Sequence, residues 1–199
     1  MLQYIIYFLT LLNPFALFFY LLPVKEERGL NDFIKIVLRA CIITFLVYSV
    51  FALFGVQIFT DLLGINFDSF RIFGGLVLLG FALSSIVGGR KSVVATKGEM
   101  NEVATQIALP FMVGAGTITM SILIGRELGN TAAVLSIGSV LALSFAIVIT
   151  LALIRSSLKP IYKSGMDRML EIVVRLNGFF VGSVGVDILI GGIEKILSK

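Results

Sequence analysis

Residues 105–125 read TQIALPFMVGAGTITMSILIG, an uncharged stretch long enough, at about 1.5 Å per residue, to cross a hydrocarbon core of about 30 Å as a helix. Its middle does not suit an unbroken helix. Pro110 has no N–H to give, and its ring clashes with the carbonyl four residues back, that of Gln106. Gly114, Ala115 and Gly116 follow, and two glycines so close together let the chain unwind. A helix resuming near Thr117 then presents unpaired N–H groups at the positive end of its dipole. With the hydroxyls of Thr117 and Thr119 beside them, these donors form an anion site that needs no charged side chain. Glycines also serve close helix packing, so the stretch by itself leaves both readings open.

Outward from this segment, the remaining chain has the same character. Of 199 residues, 58% are hydrophobic and 14% charged, against roughly a quarter charged in soluble domains, and the mean hydropathy is +1.04. The charges gather between apolar blocks at about 2–24, 36–58, 70–88, 105–125, 131–154 and 173–193. The expectation is an all-α integral membrane protein of six transmembrane helices forming one domain over 1–199. Twelve of the 16 Lys and Arg fall in alternate connections, after the first, third and fifth blocks. Basic loops face the cytoplasm, which puts both termini outside the cytoplasmic membrane. No Lys or Arg precedes Lys25, so the start of the chain reads as the first span rather than as a cleaved leader.

The residue inventory excludes whole classes of chemistry. There is no His and one Cys, Cys41, which argues against zinc, haem and intramolecular disulfides; no cofactor or metal is expected. No phosphate-binding glycine signature is present. The adjacent acids Glu26 and Glu27 lack a histidine to complete an intramembrane protease site and read as a solvated loop. An excess of positive charge here reflects loop topology, not nucleic acid.

The six blocks divide into two similar sets of three. Asn13-Pro14-Phe15 in the first is echoed by Leu109-Pro110-Phe111 in the fourth, and Arg71-Ile72-Phe73-Gly74 in the third by Arg175-Leu176-Asn177-Gly178 in the sixth. Three spans per set require the sets to be inverted, so the expectation is two inverted three-helix repeats, about 1–90 and 104–199, joined by a cytoplasmic linker at about 89–104, with helices 1 and 4 broken. In such folds the substrate site lies at the midplane, where broken helices meet. Pro14 should free the carbonyl of Thr10, and Asn13 adds donor and acceptor capacity. The candidate substrate residues are thus Thr10, Asn13, Pro14, Gln106, Pro110, Gly114, Ala115, Gly116, Thr117 and Thr119. Arg71 and Arg175 open their spans and read as interfacial anchors, with Glu171 and Arg175 paired one turn apart. Asp187 lies about 18 Å along a helix from Arg175, and an intramembrane acid is a candidate for ion coupling. The series Gly138, Ala142, Ala146 and the pair Gly178, Gly182 read as packing seams.

These segments, together with Phe70-Arg71-Ile72-Phe73-Gly74-Gly75-Leu76 and the run from Arg175 through Gly191-Gly192-Ile193, resemble the MarC family of six-span bacterial and archaeal membrane proteins along nearly the whole chain. In one respect the chain departs from the family pattern: Ala115 stands where the family usually has the proline of Gly-Pro-Gly, so a less rigid break is expected. The resemblance implies transport of small neutral amino acids such as glycine or alanine, coupled to a cation gradient, with protons favoured. Spacing alone reaches only a secondary transporter of a small, partly anionic solute. The Thr10 and Gln106 carbonyls are the natural acceptors for the ammonium of such a zwitterion. The competing readings are a scaffold whose glycines only pack helices, and an intramembrane enzyme, for which the sequence offers hydroxyls and one acid. Beyond substrate and lipid bilayer, no partner is implied.

Overall fold

A computed structural model describes residues 2–88 and 99–198, with the side chains of Leu109, Pro110 and Phe111 outside that description. Most of the expected linker, residues 89–98, lies outside the described residues. The elements are α1 (Leu2–Leu12), α2 (Pro14–Gln57), a π-helical turn (Ile58–Leu62), α3 (Phe67–Gly88), α4 (Met100–Gln106), a second π-helical turn (Ile107–Met112), α5 (Ala115–Leu128), α6 (Asn130–Ser157) and α7 (Pro160–Leu197). Four helical runs are long and apolar enough to cross a membrane: Leu2–Leu62, Phe67–Val87, Asn130–Ser157 and Pro160–Leu197. The all-helical fold follows from the bilayer, which supplies no partner for backbone N–H and C=O groups, so spanning segments must bond internally.

The first run is not one rod. It is interrupted at Asn13, and Gly29, at φ 76 and ψ 173, breaks the helical geometry of α2. Gly129, between α5 and α6, takes nearly the same conformation, φ 75 and ψ 165. A side chain is disfavoured at such φ values, which is why both positions are glycine. Residues 30–57 of α2 and Asn130–Ser157 of α6 follow these glycines and are equal in length. The segment 105–125 is likewise split among α4, the second π turn and α5, so it contributes no single long helix.

Two opposite ends of the bundle emerge from the contacts. At one end Arg155 bonds Asp167 through Nε at 2.9 Å and through an Nη at 3.1 Å, and reaches Glu26 at 2.9 Å. This ties the Gly29 corner to the C-terminus of α6 and the start of α7. Arg39 bonds Asn101 at the same end. At the other end the C-terminus of α5 packs on residues 52–57 of α2, and Arg126 stacks over Phe67, which opens α3. Gly29 and Gly129 therefore turn the chain at opposite ends.

Helix α3 runs antiparallel to α7 through small residues. Gly192 faces Ile72 and Asp68, Gly185 faces Gly75 and Leu78, and Gly178 faces Ala82 and Ile86. The Gly178 to Gly182 seam is thus filled by α3. The expected seam of Gly138, Ala142 and Ala146 is not the buried one, because Ala142 and Ala146 are exposed. The buried face of α6 instead carries Ala133, Ile137, Val140, Ser144, Val148 and Ala152; four-residue spacing alone does not say which of several apolar stripes turns inward. Helix α7 begins at Pro160, a residue preorganised for a first helical turn. The expected Glu171–Arg175 pair is present at 2.7 Å.

The core is apolar and closely packed around Phe8, Phe18, Phe33, Tyr48, Ile107 and Met112, all fully buried. The outer surface is apolar too. Leu38, Ile42, Leu46, Val50 and Phe54 form an exposed stripe along α2, and Phe179 and Phe180 protrude from α7. A surface like this is stable only in contact with lipid.

Close backbone approach at Gly125 yields a direct test. A Cβ there would lie 1.9 Å from the carbonyl oxygen of Ala52, whereas one at Gly80 would meet nothing within 4 Å. Gly125→Ala should lower unfolding stability in detergent by about 1–3 kcal/mol or more, as overpacking does. Gly80→Ala should be neutral or stabilising by up to about 1 kcal/mol.

Candidate functional site

The first interruption is closed by its own residues. α1 ends at Leu12, and Asn13 adopts the left-handed conformation at φ 43 and ψ 72, a region asparagine tolerates better than most residues. Its N–H still bonds the Leu9 carbonyl at 3.0 Å, and its carbonyl accepts from Leu17 N–H at 2.9 Å. Its side-chain oxygen accepts from Ala16 N–H at 3.1 Å. Asn13 is therefore the N-cap of α2, and Pro14 is the first residue of a new helix rather than a kink within one. Both are buried. The Thr10 carbonyl, expected to face a ligand, accepts from Asn177 Nδ2 at 3.1 Å instead.

The second interruption is built differently. After α4 the helix loosens into the π turn that contains Pro110, and Val113 N–H bonds the Ala108 carbonyl at 2.8 Å. Val113 and Gly114 are extended, and α5 begins at Ala115 with Ile118 N–H bonded to the Gly114 carbonyl at 2.9 Å. Pro110 thus precedes this break, whereas Pro14 follows the first one, so the two prolines are not at matching positions. Gly114 has no side chain with which to cap α5. Thr117 supplies part of the closure: its hydroxyl oxygen accepts from Gly114 N–H at 2.9 Å, and its hydrogen has the carbonyls of Gly114 and Met112 within 2.9 and 3.1 Å. Tyr48 on α2, wholly buried, donates its hydroxyl to the same Met112 carbonyl, and Thr44 reaches the Met112 sulfur at 3.5 Å.

Beside this break lies a cleft of about 280 Å³. One wall is the first turn of α5, from Gly114 through Thr117; the other is Leu78, Val77 and Phe81 of α3, with Leu11 of α1. No charged side chain lines it among the described residues. The N–H groups of a helix's first turn have no partners within the helix, so this wall offers donors and a positive dipole end to a cavity of otherwise apolar character. Gly116 is required by proximity, since a Cβ there would stand 2.3 Å from Leu78 Cγ. Ala115 occupies the first helical position, where a proline would also fit. The extended Gly114 before it is compatible with proline, so alanine's distinction there is one extra N–H rather than a looser break.

The other expected residues lie elsewhere. Thr119 is buried, donates to the Ala115 carbonyl at 2.9 Å and packs on Gly74. Gln106 is exposed and away from the cleft, and Pro110's side chain lies outside the described residues. Asp187 is exposed on α7 and lines a second cleft, of about 350 Å³, with Tyr7, Thr10 and Ser183. No group of three or more metal-binding residues occurs among the described residues. Sequence reasoning passed over Tyr48 and Thr44 and read Asn177 only as part of a repeated motif; the first two are polar groups four residues apart in an apolar helix, a signal that was available, but their target on a distant segment was not.

Residues 1–197 match the MarC family of integral membrane proteins. The chain belongs to that family. Among its relatives, a UPF0056 membrane protein of Pyrococcus horikoshii is 29% identical, over 87% of this chain and 83% of its own. Another from Methanocaldococcus jannaschii is 26% identical over 94% and 93%, and the UPF0056 membrane protein YhcE of Escherichia coli is 26% identical over 68% and 65%. No solved structure matches this chain. Membership of the MarC family makes the protein an integral, multi-pass membrane protein, in agreement with its long apolar helices.

The Thr117 hydroxyl sets the second break, which gives a stability test. Thr117→Val should leave the Gly114 N–H without its acceptor and lower stability by about 1–3 kcal/mol. Thr117→Ser should retain most of it, as read by thermal unfolding in detergent.

Proposed function

We propose that this MarC-family protein is a secondary transporter of small neutral amino acids of the glycine and alanine type, working by alternating access in the cytoplasmic membrane. The observation that carries this reading is the first turn of α5, whose N-cap Gly114 has no side chain, beside a cleft of about 280 Å³ that no charged side chain lines among the described residues. A carboxylate suits the donors of that turn, and the small size of the cavity, near the lower limit of about 300 Å³ for ligand pockets, suits a ligand of few atoms. Asp187 is the candidate for coupling to a cation.

The transport cycle we envisage needs two halves related by inversion. Support for such halves comes from the paired interruptions at Asn13 and Val113–Gly114, the matched glycines 29 and 129, and the equal-length helices after them. That these corners lie at opposite ends of the bundle supports the inversion itself. In the orientation that basic loops favour, the Arg155 end faces the cytoplasm and both termini lie outside. A purely structural scaffold would have no use for a cleft at an unwound segment, so transport is the better reading. The proposal contains no covalent chemistry.

Purified protein in proteoliposomes should take up labelled glycine or alanine saturably. Ala115→Pro should fold normally and weaken binding by about 10- to 150-fold, since it removes one N–H donor to a charged group, worth about 1.5–3 kcal/mol. Absence of saturable uptake or binding of either amino acid by the wild type would refute the reading, and unchanged binding in Ala115→Pro would remove α5 as the carboxylate site.

A further inference from the structure

The second cleft has a chemistry opposite to the first. Its α1 wall is Ile6, Tyr7 and Thr10, and its α7 wall includes Ser183 and Asp187. The Thr10 hydroxyl already donates its hydrogen to the Ile6 carbonyl at 2.8 Å, and the Ser183 hydroxyl donates to the Phe179 carbonyl at 2.9 Å. A hydroxyl has one hydrogen and two lone pairs, so what these two groups turn toward the cleft is acceptor capacity. An ionised Asp187 carboxylate is also an acceptor only. Thr10 further lies in the last turn of α1, the negative end of that helix's dipole. Three oxygen-bearing side chains of one sign and the end of a helix dipole thus line one cleft, beside Ile6, Phe180 and Val184, and Tyr7 adds a phenol oxygen.

We infer that this cleft between α1 and α7 is a binding site for a monovalent alkali cation of the sodium class, held by oxygen atoms of Asp187, Ser183, Thr10 and Tyr7. Hard cations take oxygen ligands. A single carboxylate among neutral oxygens balances one positive charge, whereas divalent sites gather several carboxylates, and no such group exists among the described residues. The two walls are also tied directly, since the Thr10 carbonyl accepts from Asn177 Nδ2 of α7 at 3.1 Å. Nearby on α7, Gly191 faces Arg71, whose charge is engaged by Asp68 at 3.5 Å.

The site deepens the transport reading and rests on it for its role as the coupling site, though not for the binding itself. Thr10 lines this cleft and its neighbour Leu11 lines the first, so both clefts share α1. A cation that fixes α1 against α7 changes the affinity of the other cleft, and by linkage the effect is reciprocal.

The test is a thermal-unfolding titration of the purified full chain in detergent with no amino acid present, comparing sodium chloride with choline chloride at equal ionic strength. The expected result is a saturable rise in Tm with sodium alone, abolished in Asp187→Asn and shifted to at least tenfold higher sodium in Ser183→Ala and Thr10→Val. Asp187 and Ser183 are exposed, so these variants should fold. Equal curves in the two salts would overturn the site, as would a sodium response retained in Asp187→Asn or a response to pH alone. A sodium response without any binding of glycine or alanine would uphold the cation site while sinking the amino acid reading; glycine binding without a sodium response would do the reverse.

Discussion

The hydrocarbon interior leaves no backbone polar group to water, and the rest of this structure depends on that constraint. An unbroken helix meets it automatically. An interrupted helix meets it only where particular side chains stand in for the missing bonds, and the chain solves the problem in two ways. At Asn13 one residue does nearly everything: it bends into the left-handed conformation, caps α2 with its own side chain, and hands over to a proline that has no N–H to satisfy. At Val113 and Gly114 the closure is collective, with Thr117 and Tyr48 reaching in from α5 and α2. Gly114 itself brings no capping side chain to the first turn of α5.

Packing then decides what that turn faces. Small residues let α3 approach both α7 and α5 so closely that Gly75, Gly185, Gly192 and Gly116 have no room for a methyl group without displacement of a neighbour. Leu78 and Phe81 are thereby brought opposite the α5 turn and shape the cleft. Lipid is as apolar as the protein interior, so such contacts rather than the hydrophobic effect hold the helices together. At one end the Glu26, Arg155 and Asp167 cluster adds a tie among α2, α6 and α7. Its contribution to net stability is modest once desolvation is counted, and its value is in fixing which corner meets which helix.

The two clefts have complementary electrostatics drawn from the same source. The one at the start of α5 is walled by the donor end of a helix, and the one beside the end of α1 by the acceptor end together with Asp187.

Much of this was legible in the residues. Charge-free blocks marked a membrane protein, because no other solvent tolerates them, though only four helical runs are long and apolar enough to cross and the block at 105–125 is not one of them; Asn13-Pro14 and Gly114-Ala115-Gly116 named the weak points, because proline and glycine act on their own backbone. Gly29 and Gly129 were not singled out, since a single glycine in a long apolar stretch has no local mark of a positive φ. The sequence by itself determined where the backbone could not stay helical, a property of each residue and its immediate neighbours. Only the tertiary structure decided which orphaned groups found partners: that Asn177 takes the Thr10 carbonyl, that Thr119 is spent on packing, that Gln106 faces outward and that Tyr48 secures Met112. Those outcomes depend on residues far apart in the chain meeting across helices, and no local pattern encodes such a meeting.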